Sequence, residues 1–327
     1  MGRMKLLVVG PDIQDIRKVK NFTGIYAYYL AREFRARGVE LVFADGKHPE
    51  PLRYLADVDP QGADHVLAFG LRWFTHQPIG CAAILKTKVP GAVTMLHDGL
   101  VHDGLTNQMA GVDCTFMFRD DALRVRDWKR YAKSNHYIGW GSDPELLFPE
   151  QRPEELRILI DHQFYKGGHP DHTNAIVHDA MLFATAGSWK KHHPKANGVS
   201  VRRLINGGAE DVTLENMTGL PINRMHVPFP DICREYRRAH VYMVTHRESV
   251  GLTCLELATC GALVVAPMGM IYSDRLATIR HIEFAGVRIP WSEIMRAIDI
   301  KASVEQARLQ TWPKVADRLL NWFAEYR

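Results

Sequence analysis

The chain of 327 residues lacks several features that would assign it to a protein class at once. No stretch approaches the roughly 20 consecutive apolar residues of a membrane-spanning helix. The five cysteines are odd in number and show no CxxC spacing, so we expect reduced, mostly buried thiols. The formal net charge is only +4, and this mild excess of basic residues permits an anionic substrate without identifying one.

The bulk composition is ordinary for a soluble globular protein, with 46% hydrophobic and 24% charged residues. The length favours two domains, each large enough for its own core. A turn-rich segment bounded by prolines, residues 141–153, predicts the linker between them. We therefore expect an N-terminal domain over residues 1–150, a second domain over 151–305 and a terminal helical segment over 306–327. Because the first residues, MGRMKLLVVG, lead into a predicted strand and not into a signal peptide, we also expect a cytoplasmic protein.

A strand, a glycine-containing loop, a helix and a second strand follow one another at the start of the chain. Residues 5–10 predict the first strand, and a loop that ends at Gly24 precedes a predicted helix over residues 25–37. Gly38 ends that helix, and residues 39–43 predict the second strand. This order is typical of a Rossmann-like half, although the GxGxxG fingerprint of dinucleotide-binding domains does not follow the first strand.

A second strand–helix–strand unit lies between residues 241 and 268. Residues 241–245 predict a buried parallel strand, a polar corner follows, and residues 252–259 show the helical spacing of apolar positions. Gly261 stops the helix, and residues 262–266 predict the next strand. The loop at the helix N-terminus offers free backbone N–H groups and the positive end of the helix dipole, which suit a phosphate group.

This unit contains two glutamates, Glu248 before the predicted helix and Glu256 about two turns further along. With the Ser-Val-Gly-Leu turn between them, they resemble the E-x7-E signature of the retaining GT-B glycosyltransferases of family 4. The stretch Cys-Gly-Ala-Leu-Val-Val that begins at Cys260 resembles the end of the same signature. The resemblance implies an α/β protein of the GT-B fold, with two Rossmann-like domains facing each other across a cleft and a terminal helix that crosses back to the first domain.

Members of this family transfer a sugar from a nucleotide-diphosphate sugar with retention of configuration. The resemblance therefore implies a glycosyltransferase whose nucleotide-sugar donor is held mainly by the second domain and whose acceptor is held mainly by the first. GT-B enzymes generally need no metal, so the resemblance implies neither a metal site nor a cofactor. The acceptor is not identified by any motif.

The resemblance also implies roles for individual residues. The implied catalytic residues are Glu248, which would face the sugar hydroxyls, and His97, at the end of a predicted strand over residues 92–96. Glu256 would accept hydrogen bonds from two ribose hydroxyls. The implied donor-binding residues besides Glu256 are Gly24, Lys166, Ser249, Val250, Gly251, Leu252 and Thr253.

One element of the family pattern is absent. The first strand of the second domain, predicted here over residues 157–160, usually ends in Gly-Arg, and a Lys-Gly follows a few residues later. In the family, the Arg and the Lys neutralise the donor diphosphate. Lys166 and its glycine match the second element, but His162 or Gln163 stands near the place of the Arg. We therefore expect Lys166 to carry more of the neutralisation, or another basic residue to compensate.

The residues by themselves leave other interpretations open. Taken singly, Glu248 and Glu256 also fit a surface carboxylate near a helix start and an ordinary helix glutamate. His97 begins the stretch HDGLVHDG, a near-repeat of His-Asp-Gly. Its ligand types (His97, Asp98, His102 and Asp103) suit a metal, and its polar side chains equally suit a turn-rich loop.

Two basic segments, residues 119–133 and 190–195, have Trp128 and Trp189 in or beside them and could grip a polyanion such as DNA. We expect the second segment to be exposed. A glycosyltransferase that acts on nucleic-acid bases is therefore one alternative, and a membrane surface is a further anionic partner for the first segment. A non-catalytic nucleotide-binding protein on the same fold is another alternative, because the diphosphate-binding Arg is missing.

Overall fold

The computed structural model describes most of the chain and divides it into two compact units. The described residues are 4–19, 22–46, 48–69, 78–97, 111–118, 133–150, 154–161, 170–205, 208–211, 229–245, 252–269, 278–286 and 288–326. Unit 1 comprises Met1–Gly141 together with Trp312–Arg327, and unit 2 comprises Ser142–Thr311. Each unit is built on its own six-stranded sheet.

The elements alternate between strands and helices along the chain. The strands are β1 (Lys5–Val9), β2 (Glu40–Ala44), β3 (His65–Phe69), β4 (Val93–His97), β5 (Cys114–Met117), β6 (Ser134–Tyr137), β7 (Leu156–Asp161), β8 (Val199–Ile205), β9 (Gly208–Asp211), β10 (Val241–Met243), β11 (Leu263–Pro267) and β12 (His281–Phe284). The helices are α1 (Phe22–Ala36), α2 (Pro51–Asp57), α3 (Pro78–Lys88), α4 (Pro170–Ala186), α5 (Phe229–Tyr236), α6 (Leu252–Thr259), α7 (Trp291–Ala297), α8 (Ile300–Ala307) and α9 (Trp312–Glu325). Short 3₁₀ turns occur at Ile16–Lys18 and Ser188–Lys191.

The sheet of unit 1 is parallel throughout, in the order β2-β1-β3-β4-β5-β6. Its inner strands consist mostly of buried apolar residues, the composition expected of strands that are covered on both faces. On one face, Leu7, Val66 and Met95 form a buried cluster with Leu55 of α2 and Leu85 of α3. These two short helices therefore close one side of the sheet.

The opposite face of the unit 1 sheet is covered by α1 and α9 through aromatic side chains. The ring of Tyr29 in α1 stacks on Trp312 in α9, with the centroids 5.1 Å apart and the planes 9° apart. Phe116 of β5 meets Phe323 of α9 edge to face at 5.8 Å. An ion pair joins Arg37, just after α1, to Asp317 of α9, with Nε 2.6 Å from the carboxylate. The C-terminal helix is thus an integral part of the core of unit 1.

The sheet of unit 2 has the order β12-β11-β10-β7-β8-β9. Neighbouring strands are parallel except β8 and β9, which are antiparallel. Counted from β7, this is the doubly wound order 3-2-1-4-5-6 of a Rossmann fold, in which the direction of strand addition reverses between β7 and β10. These two strands are therefore neighbours in the sheet, although α4, β8, β9 and α5 lie between them in the chain.

Helices cover both faces of the unit 2 sheet. Ile158, Ile160 and Val241 share one buried cluster with Ile176 of α4 and Ile294 of α7. Helices α5 and α6 contribute no residue to this cluster. They pack against β9 and β11, and α8 packs against α6, so these three helices cover the opposite face.

Two glycines end helices as the sequence predicts. Gly38 and Gly261 have φ values of 76° and 88°, a backbone region that disfavours residues with a Cβ. After α6, the N–H of Gly261 donates to the carbonyl oxygen of Ala258, and the N–H of Ala262 donates to that of Leu257, both at 2.9 Å. These are the two hydrogen bonds of a Schellman motif. They fix the end of α6 and turn the chain directly into β11.

The structure departs from the sequence predictions at several element boundaries. Helix α1 begins at Phe22, so Gly24 lies in its first turn and not in the preceding loop. The predicted helical tail is two helices, α8 and α9. Two strands, β6 and β8, have no predicted counterpart. The sequence of β6 is SNHY, which has little β-propensity of its own, and pairing with β5 is what makes it a strand.

The basic turn after α4 is more buried than its composition predicts. Trp189 lies among residues expected to be exposed, yet it is 3% exposed and belongs to the cluster beneath α4 and α7. Its indole Nε1 donates a hydrogen bond to the carbonyl oxygen of Ala184 at 3.2 Å. Lys190, Lys191 and Lys195 remain exposed. The lysines make the segment look like surface in the sequence, whereas packing against the helices decides where the Trp lies.

The thiols and the helix lengths agree with the sequence predictions. All five cysteines are free and buried. Burial raises the pKa of the Cys81 thiol to about 11 and that of the Cys114 thiol to about 12, so both stay protonated at neutral pH. Among the described helices, none is both long and apolar enough to cross a bilayer.

Candidate functional site

The strand order of unit 2 brings together two chain segments that carry predicted phosphate-binding residues. Strands β7 and β10 pair in parallel, with Ile160 beside Met243, so both strands end at the same edge of the sheet. Residues 162–169 follow β7 and residues 246–251 follow β10. This edge is also the place where the direction of strand addition reverses. Open α/β sheets bind their ligands in the crevice outside the carboxyl ends of the strands at such a point.

The structure locates these two segments through their ends. Lys166, Glu248, Ser249, Val250 and Gly251 lie outside the described residues, as do His162 and Gln163. Asp161 closes β7, Thr245 follows β10, and Leu252 opens α6. The segments with the predicted donor-binding residues therefore start from neighbouring positions on one edge, and the roles of their side chains stay predictions.

Helix α6 begins at Leu252, immediately after the second segment. It connects the parallel neighbours β10 and β11, so it must run back along the sheet and begin at the same edge at which β10 ends. Its first-turn backbone N–H groups, which include that of Thr253, have no partner within the helix. Together with the positive end of the helix dipole, they suit an anionic group at this edge.

Glu256 is the only charged residue of α6, whose sequence is LTCLELAT. It is 3% exposed, and Cys254, Leu255, Leu257 and Ala258 around it are completely buried. A buried carboxylate costs free energy unless it is paired or hydrogen-bonded, and glutamate is seldom this buried without such partners. The interpretation of Glu256 as an ordinary solvated helix residue is therefore wrong.

Helix α5 lies close enough to Glu256 for one of its thiols to sense the carboxylate. Burial raises the pKa of the Cys233 thiol, and the negative charge of Glu256 raises this pKa further. Cys260, which follows α6, acts on the same thiol in the same direction. Glu256 thus belongs to the packed interface between α5 and α6. The sequence contains no signal for this neighbourhood, because nothing in the local pattern of α5 points to a glutamate two dozen residues later.

Unit 1 contains two of the predicted site residues, Gly24 and His97. Gly24 is buried in the first turn of α1. His97 is the last residue of β4 and pairs in register with Met117 of β5, which places its backbone at the carboxyl edge of that sheet. The side chain of His97 and the following residues 98–110 lie outside the described residues. Within the part of the chain that is described, no group of three or more His, Cys, Asp or Glu side chains could hold a metal ion.

Comparison with known proteins distinguishes sequence from fold. No family profile and no curated protein sequence match the chain. Solved structures match it over nearly its whole length. Sucrose-phosphate synthase from Thermosynechococcus elongatus has a TM-score of 0.61 at 11% identity, covering 99% of both chains. A glycosyltransferase from Rickettsia africae has a TM-score of 0.59 at 10% identity, again over 99% of both chains. The HepE protein of Anabaena, solved in complex with UDP and glucose, has a TM-score of 0.61 at 9% identity over 98% of this chain and 100% of its own.

The chain has the GT-B fold. Both units are α/β with largely parallel sheets, and the predicted fold is therefore confirmed. At 9–11% identity the likeness establishes the fold and nothing about a shared substrate. What this GT-B chain does has to be argued from its own residues.

One candidate to replace the missing diphosphate-binding Arg can be removed. Arg237, just after α5, donates from Nε and Nη2 to the carbonyl oxygen of Leu146 at 2.9 and 2.7 Å. Its Nη1 lies 3.0 Å from the Glu150 carboxylate, and the guanidinium stands 4.1 Å from the centroid of the Phe148 ring. These contacts bind part of the predicted linker to α5 and occupy the guanidinium. Arg237 is a structural residue of unit 2.

Proposed function

We propose that this chain is a glycosyltransferase that moves a sugar from a nucleotide-diphosphate sugar to an acceptor. The observation that carries the proposal is the reversal point of the unit 2 sheet, where residues 162–169 and 246–251 follow neighbouring strands. These segments contain Lys166 and Glu248, and the second leads into the N-terminus of α6. That combination suits a diphosphate with an attached sugar. The glycosyltransferases that share the fold support the proposal, and the Anabaena protein among them holds UDP and glucose.

The reaction breaks the bond between the anomeric carbon and a diphosphate oxygen and forms a bond from that carbon to an acceptor oxygen. Negative charge grows on the departing diphosphate while the sugar becomes oxocarbenium-like. We assign Lys166, the first-turn N–H groups of α6 and the helix dipole to the diphosphate, because groups aimed at developing charge lower the barrier most. The acceptor proton passes to a leaving phosphate oxygen. Attack on the face from which the diphosphate departs would retain the configuration.

The remaining predicted residues have distinct roles in this scheme. Glu256 accepts hydrogen bonds from the ribose hydroxyls, and its burial supports this role because a hydrogen bond is stronger where water is excluded. Glu248 faces the hydroxyls of the transferred sugar. His97 assists the transfer step and not nucleotide binding. The scheme invokes no metal, since Lys166 and the helix N-terminus supply the positive charge.

A panel of nucleotide-diphosphate sugars tests the proposal. A donor that binds the folded protein raises its melting temperature by mass action, and release of the nucleoside diphosphate is then measured with and without acceptors. Glu248→Ala should abolish this release. Glu293→Ala, which removes an exposed glutamate from α7 in the same unit, is the matched control and should behave like the parent. The proposal is wrong if no nucleotide-sugar stabilises the protein, or if the two variants release nucleotide at equal rates.

The two alternatives have different expected results in the same assay. A non-catalytic nucleotide-binding protein would be stabilised by nucleotide-sugars but would release no nucleoside diphosphate with any acceptor. Transfer to nucleic-acid bases was based in part on Trp189 beside the basic residues 190–195. Because Trp189 is buried and its indole N–H is bonded to Ala184, it cannot stack on a base. Trp128 lies outside the described residues, so no described aromatic residue favours nucleic acid as the acceptor.

A further inference from the structure

A groove of about 680 Å³ lies in unit 2 at the edge of the sheet where β7 and β8 begin. It is lined by Glu154, His192, His193, Pro194, Lys195, Ala196 and Asn197. The proposed donor segments follow the carboxyl ends of the strands, at the opposite edge. A strand of six residues such as β7 spans about 20 Å, so the groove is separate from the proposed donor site.

The walls of the groove are held in place by hydrogen bonds. The N–H groups of His192 and His193 both donate to the carbonyl oxygen of Trp189 at 3.0 Å. The N–H of Asn197 donates to the carbonyl oxygen of Glu154 at 3.1 Å, which joins the turn to the start of β7. Because Trp189 is itself anchored in the core, the turn is ordered before any ligand binds, and this reduces the entropic cost of binding.

Both imidazoles of the groove are oriented through one nitrogen. Nε2 of His193 lies 2.8 Å from the carbonyl oxygen of Met295, which can only accept, so this nitrogen carries a proton. Nε2 of His192 lies 3.1 Å from Oγ of Ser292. The other nitrogen of each ring, Nδ1, has no hydrogen-bond partner among the described residues. Two fixed imidazoles therefore retain one free nitrogen each.

The charges around the groove favour an anion. Four exposed cations surround it: Lys190, Lys191 and Lys195 on the turn, and Arg296 on α7, whose Nε donates to the carbonyl oxygen of Ser292 at 3.2 Å. Two carboxylates oppose them, those of Glu154 and Glu293. The Glu154 carboxylate already accepts a hydrogen bond from the side-chain amide of Asn197. With neutral imidazoles, the surroundings thus keep a surplus of two positive charges.

We propose that this groove binds a phosphate group, with the Lys195 ammonium as its charged contact and the Asn197 amide and the imidazoles as further donors. A phosphate dianion matches the surplus of two positive charges, and charge-assisted N–H···O bonds are the strong ones. A small phosphorylated molecule and the headgroup of an anionic lipid present the same group. The site goes beyond the proposed transferase activity and does not depend on it.

Titration of the protein with inorganic phosphate, followed by the backbone amide resonances of residues 190–197, tests the proposal. We expect these resonances to shift saturably with phosphate and not with chloride at the same ionic strength. Lys195→Ala should weaken binding about tenfold, because a hydrogen bond to a charged group is lost. Glu154→Gln keeps the acceptor for Asn197 but removes the opposing charge, so it should bind phosphate more tightly. Lys301→Ala, which removes an 87% exposed lysine of α8, is the matched control and should bind as the parent does.

Sedimentation with phosphatidylglycerol and phosphatidylcholine vesicles separates the two sources of phosphate. Binding to phosphatidylglycerol that is lost in Lys195→Ala assigns the groove to a lipid headgroup. Saturable phosphate shifts without vesicle binding assign it to a small phosphorylated ligand. The proposal is overturned if phosphate shifts only resonances of α6, or if Lys195→Ala and Lys301→Ala bind phosphate equally well.

Discussion

Unit 1 and unit 2 each cover a six-stranded sheet with helices, but they fill the covered faces with different kinds of residue. In unit 1, α1 and α9 meet the sheet through large rings such as those of Tyr29, Trp140 and Trp312. Trp140 lies edge to face against Trp312 with centroids 5.1 Å apart, and all three side chains are essentially inaccessible to water. Aromatic residues of this size bury large areas and contribute strongly to stability.

In unit 2, the corresponding place beside the ligand-binding edge is occupied by the short helix α6. Its side chains are small or aliphatic, and it buries one carboxylate, that of Glu256. Unit 1 therefore gains stability from its helical face, whereas unit 2 accepts the cost of a buried charge beside the edge where a donor would bind. The difference predicts that changes in the first face act on folding and that changes near α6 act on ligands.

The largest expected effect is on the stability of unit 1. Trp312→Ala removes the ring that stacks on Tyr29 and contacts Trp140, and loss of a buried aromatic side chain costs about 3–5 kcal/mol of unfolding free energy. Urea unfolding followed by circular dichroism measures it. Trp322→Ala, on the half-buried face of the same helix, is the control and should cost less. Equal losses in the two variants would contradict the assignment of the core to the Trp312 face.

The second prediction concerns catalysis by unit 1. If His97 assists the transfer step, His97→Ala should lower kcat about 100-fold, since removal of one group that stabilises developing charge has this effect. Nucleotide affinity and melting temperature should stay close to those of the parent. His178→Ala, on the exposed side of α4, is the control. A folded His97 variant with normal turnover would show that His97 has no catalytic role.

The third prediction concerns ligand binding by unit 2. Glu256→Gln keeps the size of the side chain but loses the charged acceptor, so it should weaken UDP or another recognised nucleoside diphosphate about tenfold. Removal of the ribose 2′-hydroxyl from the ligand should cost the parent affinity and cost the variant less, because the two changes remove the same interaction. Calorimetric titration measures both. Glu305→Gln, 66% exposed on α8, should bind normally. Equal affinities of parent and Glu256→Gln would disprove the ribose assignment.

The smallest expected effect is a pH dependence of unit 1. Nδ1 of the buried His65 accepts a hydrogen bond from the N–H of Ala92 at 2.9 Å, and its ring lies 5.0 Å from that of Phe323 in α9. Burial lowers the pKa of His65 below its ordinary value of 6.5, although the charge of Asp64 opposes this. Since the unfolded chain then binds the proton at a higher pH than the folded chain does, this contribution to stability is complete above pH 6.5 and is lost as the pH falls through the lower folded pKa.

Thermal unfolding across this pH range measures the effect of His65. His65→Asn places an amide oxygen near the position of Nδ1 and cannot be protonated, so it should flatten the dependence below pH 6.5. The same slope in the parent and in His65→Asn would show that another group is responsible. Unit 2 offers the contrast, because the buried thiol of Cys233 stays protonated throughout and contributes no slope near neutral pH.

Features encoded in short stretches of sequence were predicted well. The unit from β10 through α6 to β11 was predicted because its strands are buried apolar runs and because Gly261 ends the helix with a left-handed backbone. Strand β3 was predicted with its observed bounds, His65–Phe69, for the same reason. The start of α1 was placed three residues late, since a glycine at position 24 is a weak helix former and only packing in unit 1 keeps it in the helix.

Features that depend on distant residues were not predicted. Strand β6 exists because β5 pairs with it, the burial of Trp189 follows from its packing under α4 and α7, and Arg237 is engaged by a segment far away in the chain. The neighbourhood of Glu256 and Cys233 belongs to the same class. None of these contacts leaves a trace in the local pattern of polar and apolar residues.

The sequence by itself determined the alternation of strands and helices, the positions of the helix-ending glycines and the resemblance of residues 248–265 to a glycosyltransferase signature, because each depends on residues close together in the chain. The tertiary structure alone decided that β7 and β10 are neighbours and that their following segments share one edge. It also decided that Glu256 is buried. The physical reason is that the pairing of parallel strands, and the burial of a side chain beneath another helix, are set by packing between residues that are distant in sequence.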